Sequence, residues 1–143
     1  MTAQDAIRNT LNRFVSCFDL KDWATMQSLL DPTIRVDYVD LRGQACDMSA
    51  VDYVAARIES LQHLRTHHLL ANLVIEIDDG TASVDASCMI YRSDGSRHFD
   101  SHALYTFGLV AHGDRWTIAA IRQRILWNEG DPSIHKGAST RAS

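Results

Sequence analysis

The sequence predicts an α+β domain in which three helices cover one face of a strongly bent antiparallel sheet, a cone with a hollow between its layers. Two observations carry this. Apolar residues recur with a helical period as far as Leu64, and with a period of two from Thr66 to Leu126. The strand-like segments are joined by Asp78-Asp79-Gly80, Ser93-Asp94-Gly95 and His112-Gly113-Asp114, turns so short that the strands must be antiparallel neighbours. A chain of 143 residues suits one domain with one core. The space between helices and sheet is the default place for a ligand.

Each element has a local reason. Thr2-Ala3-Gln4-Asp5 reads as a capping box, and Ile7, Leu11, Phe14, Val15 and Phe18 then form one stripe on the first helix. Asp22 caps a short second helix, Trp23 to Leu30, which stops before Asp31-Pro32. Ile34 to Leu41 alternates as a strand, with a turn at Arg42-Gly43. Ser49-Ala50-Val51-Asp52 is a second capping box, and Val51, Val54, Ala55, Ile58 and Leu61 supply the third helical stripe. Thr66–Ile77, Thr81–Arg92, Ser96–Val110 and Arg115–Leu126 follow as four long strands. Residues 1–128 thus form the domain. Residues 129–143, with Gly130, Gly137 and little that could pack, are expected to be a flexible tail or a lid.

Composition narrows the class. Hydrophobic residues at 45% and charged residues at 22% fit a folded, soluble domain. The formal net charge is −4, and Lys occurs only at 21 and 136, so no basic patch for nucleic acid is present. No apolar run approaches the ~20 residues of a membrane helix, and the polar start MTAQDAIRNTLNRF predicts no signal peptide. Cys17, Cys46 and Cys88 are odd in number and widely spaced, as reduced thiols of a cytoplasmic protein would be. No metal or other cofactor is expected. A small apolar molecule is the expected partner, and apolar residues on the outer sheet face suggest a homodimer or homotrimer.

Several residues could carry chemistry. Asp19 falls on the stripe of Leu11 and Val15, at a helix C-terminus where an anion gains nothing from the dipole. That points to a paired carboxylate. His67 and His68 are consecutive on a strand, so only one can face the hollow. Strand parity sends His67 inward, with Leu69, Ala71 and Leu73. A β-bulge near Ala71-Asn72 would send His68 inward instead. An Asp–His pair fixes the tautomer and is expected to raise the histidine pKa. Phe99, Ala103, Tyr105 and Phe107 share the cavity side of their strand. His98, Asp100 and His102 share its other face, a metal-like spacing that points outward. Trp127, on the strand face of Ile121 and Ile125, is placed to close one end of the cavity. Arg122 and Arg124 read as an outer or interface face, and Cys88 as packing.

Local motifs add a resemblance. Phe18-Asp19-Leu20-Lys21-Asp22-Trp23 with Asp31-Pro32-Thr33-Ile34-Arg35-Val36-Asp37-Tyr38, then Leu64-Arg65-Thr66-His67-His68, and finally Arg115-Trp116-Thr117-Ile118 with Trp127-Asn128-Glu129, resemble scytalone dehydratases. Those belong to the SnoaL-like group of nuclear-transport-factor-2-like proteins. The resemblance runs from about Thr10 to Gly130. It implies a cone-shaped barrel with a curved mixed, mostly antiparallel sheet. It implies His68 as the catalytic histidine, Asp19 as the residue orienting it, and Tyr38 as the hydroxyl that polarises a substrate carbonyl. Phe18, Tyr105 and Trp127 would bind substrate. The sequence departs from the pattern at Phe18, where a second tyrosine is usual, and at Ala103 and Tyr105, where serine and asparagine are usual. No histidine among Ala86 to Arg92 matches the second catalytic one.

The expected function is a cofactor-free lyase or isomerase, dehydratase-like, with an Asp–His general base acting on a small apolar, ring-containing carbonyl compound. Alternatives on the same fold are a polyketide-cyclase-like enzyme, a non-catalytic ligand-binding or assembly module, and a small-subunit partner of a larger oxygenase.

Overall fold

The computed structural model describes residues 1–43 and 45–135, apart from the side chains of residues 41 and 42. Helix α1 (Ala3–Leu20) begins at a reciprocal capping box: Thr2 Oγ1 accepts from the Asp5 N–H at 3.0 Å, and Asp5 accepts from the Thr2 N–H at 3.3 Å. It buries Ile7, Leu11, Phe14, Val15, Cys17 and Phe18. Lys21 ends it in left-handed backbone, φ 54°. Asp22 then caps α2 (Trp23–Ser28).

The expected Ile34–Leu41 strand begins earlier and stops earlier, as β1 (Leu30–Asp37). Asp37 Oδ1 accepts the Val39 N–H at 3.2 Å, and the chain turns into the one-turn helix α3 (Val39–Arg42). A strand absent from the sequence reading, β2 (Ala45–Ser49), then pairs antiparallel with β1. Ser49 caps α4 (Ala50–Leu61) by accepting from the Asp52 N–H at 3.0 Å. The buried face of α4 differs from the expected stripe. Val51 and Ala55 are exposed, whereas Tyr53, Val54, Arg57, Ser60 and Leu61 are buried. Its inner face is thus partly polar.

Strands β3 (Arg65–Asp78), β4 (Thr81–Ser93), β5 (Phe99–His112) and β6 (Arg115–Gly130) form an antiparallel meander. β1 joins it parallel to β6, which makes the sheet mixed. The order β2-β1-β6-β5-β4-β3 leaves β2 and β3 at the edges, so the sheet is curled without closing. One core lies between its concave face and the helices, around Phe14, Tyr53, Phe107 and Ile118.

Two of the sheet's bulges decide which side chains of β3 and of the end of β6 face that core. Asn72 has φ 57°, and the β3–β4 register shifts between Ala71 and Val74. The buried and half-buried positions are therefore Thr66, His68 and Leu70 before the bulge, and Leu73 and Ile75 after it. On the other side, His102 pairs with Trp127 but Ala103 pairs with Ile125. Leu126 is the extra residue, and it reverses the alternation.

β6 leads at Gly130 into a 3-10 turn, Pro132–Ile134. Ile134 and His135 are 3% and 4% exposed, and Asp131 N–H reaches His98 O at 2.8 Å. Of the segment 129–143, expected as a flexible tail or a lid, the part up to residue 135 packs against the domain. Residues 136–143 lie outside the described residues. No described helix is long and apolar enough to cross a membrane.

Candidate active site

The end of α1 and the start of β3 meet at Asp19. Its Oδ1 lies 2.7 Å from His68 Nδ1 and accepts the Thr66 hydroxyl at 3.0 Å, while Oδ2 accepts the His68 backbone N–H at 2.8 Å. The carboxylate binds the neutral imidazole as its Nδ1–H tautomer, which leaves the Nε2 lone pair available. Phe18, one residue before Asp19, stacks on the His68 ring with centroids 4.6 Å apart. The His68 side chain is 5% exposed and that of Asp19 16%. His67 is exposed on the outer face.

The pKa of His68 moves opposite to the expected direction. Burial pushes it below the ordinary imidazole value, and Arg92 and His67 add to the fall. The hydrogen bond and charge of Asp19 oppose this without reversing it. His68 is therefore a neutral base at neutral pH.

Tyr38 follows β1 and is buried. Its hydroxyl lies 2.7 Å from that of Tyr53 on α4. Burial, together with Tyr53 and Tyr105, holds the Tyr38 phenol well above its usual range, so it remains a donor. Arg57, one turn after Tyr53, lies over both rings, 5.1 Å from the centroid of Tyr38 and 4.6 Å from that of Tyr53. Tyr105 points inward from β5 and receives a Gln123 amide N–H at 2.8 Å. Arg92, from β4, donates through one Nη1 to Phe99 O at 3.3 Å and Ser101 Oγ at 2.9 Å.

These side chains enclose one cavity, lined by Phe18, Tyr38, Arg57, Leu61, His68, Ile90, Arg92, Tyr105, Gln123 and His135. Its free volume is about 20 Å³, room for about one water. The structure brings together Asp19, His68, Tyr38, Phe18 and Tyr105. Trp127 is not part of the site. The Leu126 bulge turns it outward, where it is 46% exposed and stacks on His102 at 4.2 Å. His98 likewise faces outward, 3.1 Å from Asp100. Cys88 is buried, and its thiol is pushed up to about 12, so it stays protonated.

Sequence reasoning missed Tyr53, Arg57, Gln123 and His135. A signal existed on α4: Tyr53, Arg57 and Ser60 share one helical face with Ala50, Val54 and Leu61, a stripe with polar groups where a plain core has none. His135 carried no periodic signal.

The SnoaL-like domain profile matches residues 1–122. The chain belongs to the SnoaL-like family. A scytalone dehydratase, arp1 of Aspergillus fumigatus, is 29% identical over 143 residues, covering 87% of this chain and 82% of that protein. The scytalone dehydratase-like protein Arp1 of Metarhizium majus is 25% identical, covering 85% and 78%. Among solved structures, the Kfla4162 protein of Kribbella flavida superposes with a TM-score of 0.85 at 19% identity, covering 92% of this chain and 95% of that one. A hexachlorocyclohexane dehydrochlorinase, LinA type 2, gives 0.73 at 14% identity, with 92% and 90% covered. The SnoaL-like chain thus has the nuclear-transport-factor-2-like fold, shared with lyases of two kinds.

Proposed function

We propose that this SnoaL-like protein is a lyase or isomerase of a small, ring-containing carbonyl compound, with His68 as the proton carrier. The observation that carries the reading is the 2.7 Å Asp19–His68 contact at the wall of the cavity that His68 lines. His68 Nε2 removes a proton from the carbon next to the carbonyl, and the C–H electron pair passes into an enolate. The Tyr38 hydroxyl donates to the enolate oxygen, directly or through a bridging water. Asp19 stabilises the imidazolium that forms. The imidazolium then protonates a β-hydroxyl, the C–O bond breaks, and water leaves on the face from which the proton was taken. His68 is restored and the step needs no redox partner. Without a leaving group, return of the proton at another carbon gives isomerisation or ring closure.

A panel of cyclic β-hydroxy ketones, followed by absorbance of the conjugated enone, tests this. A substrate so found should lose turnover by about 10²–10⁴-fold in His68→Ala, and Asp19→Asn should lower kcat as well. Undiminished turnover in His68→Ala overturns the assignment. A second reading, ligand binding without turnover, is favoured by the small free volume, since ligand clefts usually offer hundreds of Å³. Saturable binding of the same ketones with no product formed would select it.

A further inference from the structure

We propose that Arg57 is the receptor for a substrate carboxylate, so that the ligand is a small ring-containing acid rather than a neutral ring compound. This deepens the reading of the cavity as a substrate site and rests on it, but not on proton transfer by His68.

Arg57 is 4% exposed, yet it has no hydrogen bond and no ion pair among the described residues. Its contacts are the two tyrosine faces, and its enclosed Nε–H has no acceptor. A guanidinium carries five N–H donors in a planar fork, and taking it out of water without an anion is unfavourable. Ring faces attract the charge but accept none of its in-plane hydrogen bonds. No side chain lining the cavity is a carboxylate. Asp19, behind the cavity wall, is committed to His68 and Thr66. The positions outside the description, 41, 42, 44 and 136–143, include no Asp or Glu. Among the described residues no carboxylate forms an ion pair with Arg57, and Arg92 adds a second positive charge to the same wall.

A carboxylate complements this guanidinium in charge and hydrogen-bonding geometry. Two parallel N–H···O bonds match the guanidinium fork, and a dry wall strengthens them. The two tyrosine rings hold the guanidinium plane before the ligand arrives, so little ordering is left to binding. Gln123 supplies the complementary feature. Its amide N–H is spent on Tyr105, and its buried carbonyl oxygen has no donor. A ligand hydroxyl would satisfy it. The cavity thus asks for an acid with a hydroxyl, on a ring small enough to lie beside Phe18 and His68.

The test compares acids with their neutral isosteres by calorimetry and by the Arg57 Nε–H resonance. Benzoate and benzamide form one pair, acetate and acetamide a smaller one that needs less space. In the wild-type protein at least one acid should bind tenfold or more tightly than its amide and shift the Nε–H signal. Arg57→Met should bring the acid to the level of the amide. Arg57→Lys keeps the charge without the fork and should weaken the preference at least threefold, a second readout should the methionine variant fail to fold. Equal binding of acid and amide, binding of neither pair, or a preference unchanged in a folded Arg57 variant overturns the proposal. Binding is read without turnover, so failure of the proton-transfer reading would leave this result intact, and the reverse also holds.

Discussion

Asp19 and His68 touch twice. The carboxylate takes the imidazole Nδ1–H at 2.7 Å and the backbone N–H of the same residue at 2.8 Å. One contact sets the ring's tautomer; the other fixes the strand on which the ring stands. The C-terminal turn of α1 is therefore pinned to β3 at the point where the candidate base enters the cavity.

Removing the carboxylate should cost stability as well as chemistry. Asp19→Ala leaves three donors, two of them on His68, without their acceptor. Each lost partner of a buried donor costs roughly 1–3 kcal/mol, and the effects overlap. A loss of about 3 kcal/mol is expected in urea denaturation, with Asp19→Asn milder. An unchanged midpoint for Asp19→Ala would show that the pin is not holding.

The depressed pKa of His68 has a definite sign. The unfolded chain takes up this proton near pH 6.5, whereas the folded chain takes it up only at lower pH. Between those two values the unfolded state binds more protons, so stability rises with pH. The contribution is complete above about 6.5 and is lost as pH falls through the window below it. Proton NMR should show the His68 imidazole titrating below the ordinary histidine value. Asp19→Asn should push it lower still, because the remaining influences of burial, Arg92 and His67 all act downward. A His68 that titrates at or above 6.5 would contradict burial as the dominant influence on this ring.

Much of this site was legible because its determinants are local. Capping residues and periodicity locate α1, the Asp19 stripe and the four-strand meander. The phase of β3 was legible as a conflict between parity and motif, and Asn72 resolves it. The Leu126 bulge was not legible: no glycine or turn residue marks it, and the extra residue exists only relative to the register of β5. Hence Trp127 was assigned to the wrong face. Arg57 was lost for another reason. A hydrophobic stripe is sought among apolar residues, and Val51 is apolar but exposed, whereas Arg57 is charged but buried. A cavity that binds a polar ligand inverts the usual pattern.

The bulge at Asn72 can be tested directly. Its φ of 57° is tolerable for asparagine and glycine but strained for a β-branched residue. Asn72→Gly should leave the melting temperature nearly unchanged. Asn72→Val should destabilise by about 1–2 kcal/mol, and where it folds it should reduce activity by displacing His68. Equal stability of the two variants would mean that the bulge is not needed.

Tyr38 and Tyr53 share one hydrogen bond but have different expected roles. Either Tyr→Phe change breaks the 2.7 Å contact and should cost about 1 kcal/mol of stability. In the proposed mechanism only Tyr38 donates to the enolate, so Tyr38→Phe should lower kcat by about 10²-fold with little change in KM. Tyr53→Phe should stay within about tenfold of wild type. Because the Tyr38 phenol is held well above its ordinary pKa, its contribution should not fade toward pH 9. Equal rates for the two variants would remove Tyr38 from the mechanism.

Gly130 controls how the chain returns to cover the cavity. Its φ is 97°, and a Cβ placed there would lie 2.2 Å from the His98 carbonyl oxygen, the same oxygen that accepts the Asp131 N–H. Gly130→Ala therefore cannot keep this crossing. The segment it anchors carries Ile134, whose carbonyl accepts from His63 at 2.8 Å, and His135, which lines the cavity. The substitution should free that segment without unfolding the sheet, because the β5–β6 ladder runs back to His112 and Arg115 at its other end. Hydrogen exchange should quicken at Ile134 and His135 and stay slow in β4 and β5. With its wall loosened, the cavity should admit ligands faster and hold them more weakly, so both on-rate and off-rate rise. Exchange at residues 134 and 135 that matches the wild type would show that the cover is held by its own packing rather than by the crossing at Gly130.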